Sequence, residues 1–143
     1  MWHELILELA PGAELGAPAS DDTLAEVERT LGQRVPSDLA DLLRECDGVV
    51  HRGLDVVWDA ARIARENGEF RTTLDFRQLY MPFEPLMFFG DNGGGDQFAF
   101  VRTPERDHDV FVWDHETDSR SMVAGRLRQY LERSLTEDGD WYL

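Results

Sequence analysis

The glycine-rich stretch Gly90-Asp91-Asn92-Gly93-Gly94-Gly95-Asp96 is the densest concentration of chemistry-capable residues in the chain. A phosphate-binding loop would need glycines at G-x-G-x-x-G spacing opening a helix. Gly93 and Gly95 begin that pattern, but Phe98 stands where the third glycine belongs. The stretch also falls between two apolar, strand-like runs, so it reads as a hairpin turn in which Asp91 and Asp96 hydrogen-bond turn amides. A metal site would draw on Asp91, Asp96 and His115. The calcium-loop pattern is missing, and His51, His108 and His115 lack H-x-x-x-H spacing. No metal and no cofactor are expected.

Nucleophilic chemistry is no better supported. The only cysteine is Cys46, and nothing in the sequence places it beside His115. It sits in a helical apolar pattern, where a small core residue is expected. G-x-S-x-G does not occur. All 14 basic residues are arginine, which excludes a lysine Schiff base and a Walker-type loop. Asp107-His108-Asp109 and Asp114-His115-Glu116 fall in turn-rich segments. In so acidic a chain, paired carboxylates carry no information on acid–base work. No catalytic residue is expected.

Charge is more informative. Twenty-nine acidic residues against 14 basic ones give a net charge of −15 in 143 residues. Such a field repels nucleic acid and anionic lipid and attracts basic partners. The first residues, Met1-Trp2-His3-Glu4, lack the basic start of a signal peptide, and no window is apolar for the length of a membrane span. With one cysteine and no internal disulfide, a soluble cytoplasmic protein is expected. The length fits one domain, residues 1–143.

Periodicity places the elements. Trp2, Leu5, Ile6 and Leu9 have helical spacing, stopped by Pro11-Gly12. Ser20, or Thr23 with Glu26, caps a helix with Leu24, Val27 and Leu31 on one face. Pro36-Ser37-Asp38 opens the next, with Leu39, Leu42, Leu43 and Cys46, and Asp47-Gly48 stops it. The short link between the two predicts an αα-hairpin. Leu54 to Trp58 reads as a strand. Asp59 caps a helix ending at Asn67-Gly68, and residues 70–83 read as a long connection. Strands follow at Leu86–Phe89, Phe98–Val101 and Val110–Trp113. A last helix carries Val123, Leu127, Tyr130, Leu131 and Leu135. The order predicts an α+β fold, a mostly antiparallel meander with helices packed on it. Phe98 and Phe100 share one sheet face, and Phe111 and Trp113 share one. One set must face helices; the other is either covered or an exposed binding face.

The ordered pieces resemble a known superfamily. Glu28-Arg29-Thr30-Leu31-Gly32-Gln33-Arg34-Val35-Pro36 resembles the E-x-x-L-G-x-x-L-P helix junction of the SUKH superfamily, the group of Smi/Knr-type domains. The helix reaching Asp47-Gly48 resembles the next helix and its Asn-Gly-Gly end, with Asp47 and Val35 departing from the usual asparagine and leucine. Leu86 to Asp91 with Gly95-Asp96 resembles the central hairpin, Val110 to Glu116 the next strand and turn, and Val123-Ala124 onward the last helix. The resemblance spans roughly residues 20 to 135. It implies a non-enzyme, since the superfamily shares no catalytic apparatus. Bacterial members are mostly immunity proteins that bind and block toxins; a regulatory or scaffold role is the alternative. The expected partner is therefore a cognate protein toxin, plausibly a basic nuclease, with self-association left open. Its expected contact surface is Asp91, Asp96, Glu105, Asp107 and Glu116 from the meander turns, with Trp58 and Trp113 as aromatic anchors.

Overall fold

The computed structural model describes residues 1–73, 80–101, 108–137 and 141–142. Helix α1 is Trp2–Leu9 and buries Trp2 and Ile6. Helix α2 is Asp21–Leu31, capped by the Ser20 hydroxyl, which accepts from the Thr23 amide, and ended by Gly32. Helix α3 is Ser37–Glu45, opened by Pro36. The caps fall where the sequence puts them. The short link also brings the two helices together, with Arg44 near the end of α3 bonded to Asp21 at the start of α2 at 2.9 Å; α2 packs further on α4 (Ala60–Thr72), and α3 on α1.

Helix α4 runs through Asn67-Gly68 to Thr72 instead of stopping there. Asn67 is buried with 1% exposure. Its Nδ2 donates to the Ile63 and Phe88 carbonyls, at 2.7 and 2.9 Å, and its Oδ1 accepts from the Phe88 amide at 2.8 Å. These tertiary bonds outweigh the weak helix propensity of the Asn-Gly pair.

The strands are β1 (Glu14–Leu15), β2 (Val49–His51), β3 (Leu54–Val57), β4 (Leu86–Asp91), β5 (Gln97–Val101), β6 (Val110–Trp113) and β7 (Arg120–Ala124). They form two antiparallel sheets, β1-β2-β3 and β4-β5-β6-β7. The fold is α+β, as expected, and the three anticipated meander strands lie side by side. The meander gains a fourth strand, β7. That strand takes Val123 out of the last helix, α5, which spans Leu127–Thr136.

The sheets meet along a seam. The Trp58 amide donates to the Phe89 carbonyl at 2.7 Å. The Tyr130 hydroxyl donates to the Val56 carbonyl at 2.7 Å. Gly90 sits at the closest approach: a Cβ there would lie 2.3 Å from the Val56 oxygen. Only a residue without a side chain fits that spacing.

Both faces of the meander bury aromatic side chains. Phe98, Phe100 and Phe89 lie on the α5 side, where Tyr130 meets Phe89 at 4.9 Å and Phe98 at 5.1 Å. Trp113 packs edge-on against Phe70, Phe83 and Phe88, all within 5.8 Å. The alternative of one open aromatic sheet face therefore fails; only Phe111 keeps partial exposure.

Candidate binding surface

Two turns at one end of the meander are clasped together. The Asp96 carboxylate accepts from the His115 amide at 3.1 Å and lies 2.6 Å from the ring Nδ1. The ring occupies the space that a Cβ at Gly95 would need, 2.9 Å away, and Gly95 has φ +111. The hydrogen bond to Asp96 raises the His115 pKa, against a smaller opposing effect of burial. Asp96, Asp114 and His115 bring ligand-type atoms within 4.8 Å of one another. Asp96 is committed to His115, and Asp114 accepts from the Glu116 amide at 2.8 Å. The group works as a clasp between turns.

Asp91 anchors its own turn by accepting from the Gly93 amide at 2.7 Å. Its other oxygen accepts from the Trp58 indole at 2.7 Å and from Arg62 at 3.1 Å. Arg62 stacks over Trp58, with the guanidinium 4.4 Å from the ring centroid, and also pairs with Asp55 at 3.0 Å. Glu66, one turn along α4, lies 3.7 Å away.

Next to this guanidinium opens a cleft of about 260 Å³, whose lining includes Glu14, Asp47, Asp55 and Asp59. Asp59 caps α4 by accepting from the Arg62 amide at 2.8 Å. Asp47 accepts from the Ala60 amide at 2.7 Å. Burial, with Asp59 adding repulsion, raises the Asp47 pKa. Four carboxylates thus line the cleft, and Asp55, Glu66 and Asp91 hold the Arg62 guanidinium at 3.0–3.7 Å. The excess of carboxylates over this guanidinium makes the cleft negative.

The expected contact residues divide. Glu116 is 79% exposed, whereas the Asp91 and Asp96 side chains are only 13% and 18% exposed and already engaged. Glu105 and Asp107 lie outside the described residues. Trp58 and Trp113 are 1% and 4% exposed. The expectation that they anchor a partner is corrected: both indoles are core residues, each tied to a carboxylate, Asp91 or Asp118. Cys46 is fully buried, and burial pushes its thiol up to about 11, the reverse of an activated nucleophile. Sequence reasoning read Asp59 as a cap and missed the cleft, because acidic residues are everywhere in this chain.

The described residues thus define an α+β domain with a strongly acidic cleft at the edge of its smaller sheet. The sequence model of the SMI1 / KNR4 family (SUKH-1) matches residues 18–133, and the chain belongs to that family. No curated protein matches it significantly. Among the described residues no helix is long and apolar enough to cross a membrane.

Proposed function

We propose that this protein is a non-enzymatic binding domain that neutralises a cognate bacterial toxin in the cytoplasm. The observation that carries the reading is the acidic cleft lined by Glu14, Asp47, Asp55 and Asp59, beside the Arg62 guanidinium that Asp55, Glu66 and Asp91 share. Many toxins that act on nucleic acid are basic. An acidic inhibitor meets such a partner quickly and rejects others. Family membership supports a protein-binding role, and the buried, unreactive Cys46 suits a reducing compartment. The test is to express this protein together with any toxin domain found encoded beside its gene. Protection of the cells is the expected result. Failure to protect, with both proteins folded and abundant, would replace this reading with a regulatory or scaffold role.

A further inference from the structure

We propose that a second cleft, beside β3 and under the last described residues, receives one large apolar side chain from a basic protein partner. The inference rests on the toxin-binding reading and supplies the anchor that it lacks. The cleft measures about 240 Å³ and is lined mainly by Leu54, Val56, Phe98, Tyr130, Trp141 and Tyr142, with the polar Asp91, Asn92 and Ser134 beside them. Its walls are held in place. Trp141 stacks on Phe98 at 5.4 Å with the planes 12° apart. Arg133 donates to the Trp141 carbonyl at 2.7 Å and lies 5.0 Å over its ring. The Tyr142 hydroxyl meets the Asn92 amide at 2.7 Å. Leu54 is 44% exposed, one of the few large apolar side chains left at the surface.

Size and charge select the occupant. The volume is below the roughly 300–1,000 Å³ of small-molecule sites, so one side chain is the fitting load. Aromatic walls that are fixed before binding are the setting in which a single buried side chain dominates affinity. A second copy of the chain is disfavoured, because each copy carries −15. Asp91 lines the cleft and Asp55 follows Leu54, and these two share the guanidinium of Arg62 with Glu66. The chain's net charge of −15, with Asp91 in the lining, favours an arginine or lysine close to the apolar residue. Leu54, Trp141 and Tyr142 thus take the role that burial denies to Trp58 and Trp113.

The experiment has two arms, both with the full chain. In the first, random linear peptides are selected by display on the unaltered protein. The expected consensus is one large apolar residue flanked by arginine or lysine. Binding should weaken about tenfold or more in Leu54→Asp and in Tyr142→Ala. Both substitutions alter partly exposed side chains, and thermal unfolding checks that each variant is folded. No consensus, a consensus without basic flanks, or one indifferent to both variants would overturn the inference. In the second arm, any toxin domain found encoded beside this gene is titrated against the same three proteins. Weaker binding to both variants is expected. If the toxin binds all three equally, the cleft is not its anchor and the inference is wrong, while the toxin reading stands. If the toxin ignores the unaltered protein but the peptides behave as expected, the cleft stands as a docking site and the toxin reading falls.

Discussion

The side chain of Asn67 pairs with both main-chain groups of Phe88, as a neighbouring strand would. It supplies one residue of ladder to β4 on the side away from β5. It does so from the middle of a helix, so the amide joins α4 to the meander by hydrogen bonds as well as by packing. Asn67→Ala should destabilise the protein by about 2–6 kcal/mol, because two buried main-chain groups each lose a partner at about 1–3 kcal/mol. Chemical denaturation measures it. A loss under about 0.5 kcal/mol would mean that water replaces the amide.

Asp118 should matter for a related reason. It accepts from the Trp113 indole at 2.8 Å, from the Met81 amide at 2.9 Å and from Arg120 at 3.2 Å. Burial alone would raise its pKa, but these partners together hold it below the ordinary value of 3.8. The sign follows from linkage. A carboxylate with a depressed folded pKa stabilises above its unfolded value and loses that contribution as pH falls through the folded one. The residue also has φ +59, a conformation that asparagine tolerates better than most residues. Asp118→Ala should therefore cost about 1–3 kcal/mol at neutral pH. Asp118→Asn should cost less, with its deficit shrinking as the pH drops below about 4. Equal deficits at all pH values would show that the charge plays no part.

The Asp96–His115 clasp has the opposite pH sense. The folded pKa of His115 is raised above 6.5 by Asp96, with Asp114 and Glu116 adding to the effect. Its contribution is full below 6.5 and is lost as pH rises through the folded pKa. Replacing Asp96 by asparagine should lower the His115 midpoint followed by NMR. His115→Gln should lower the melting temperature more on the acidic side of that midpoint than on the basic side. A midpoint unmoved by the Asp96 change would contradict the clasp.

Gly90→Ala tests the seam between the sheets. The added methyl would meet the Val56 oxygen at 2.3 Å and the Tyr130 hydroxyl at 3.0 Å. Backbone on both sides must move, at a cost of about 2–3 kcal/mol. Thermal unfolding should show it. Unchanged stability would mean that the seam opens without penalty.

The acidic cleft makes a kinetic prediction. Neutralising Glu14, Asp55 and Asp59 to their amides should slow association with the toxin and flatten its dependence on salt, with smaller changes in dissociation. Asp59→Asn keeps a good helix cap, so the fold should survive. Stopped-flow association across a salt series is the measurement. A salt slope equal to that of the unaltered protein would remove the cleft from the encounter.

Strong local signals were readable in the sequence and weak ones were not. Ser20, Pro36 and Gly32 punctuate helices through their own backbone chemistry, and the apolar stripes of α2 and α3 repeat cleanly. The strands β4, β5 and β6 are continuous apolar runs between turns. By contrast β1 and β2 have two and three residues, too short to show a period. Strand β7 begins Arg120-Ser121-Met122, largely exposed, and its Val123 fits a helical period as well as an alternating one. Asn67-Gly68 reads as a helix end because its reason for staying helical lies on another element, at Phe88. The acidic cleft follows the same logic. Glu14 is far in the chain from Asp47 and Asp55, and the pairing of β1 with β2 makes them neighbours.

That small sheet has one more consequence. Side chains alternate along β3, so Leu54 and Val56 line the apolar cleft while Asp55 and Val57 line the acidic one. The two clefts lie on opposite sides of a single strand. A partner that engages both must straddle the β2–β3 hairpin, with one grip on each flank. Two modest grips held at fixed spacing reinforce each other, because the first holds the second at high effective concentration.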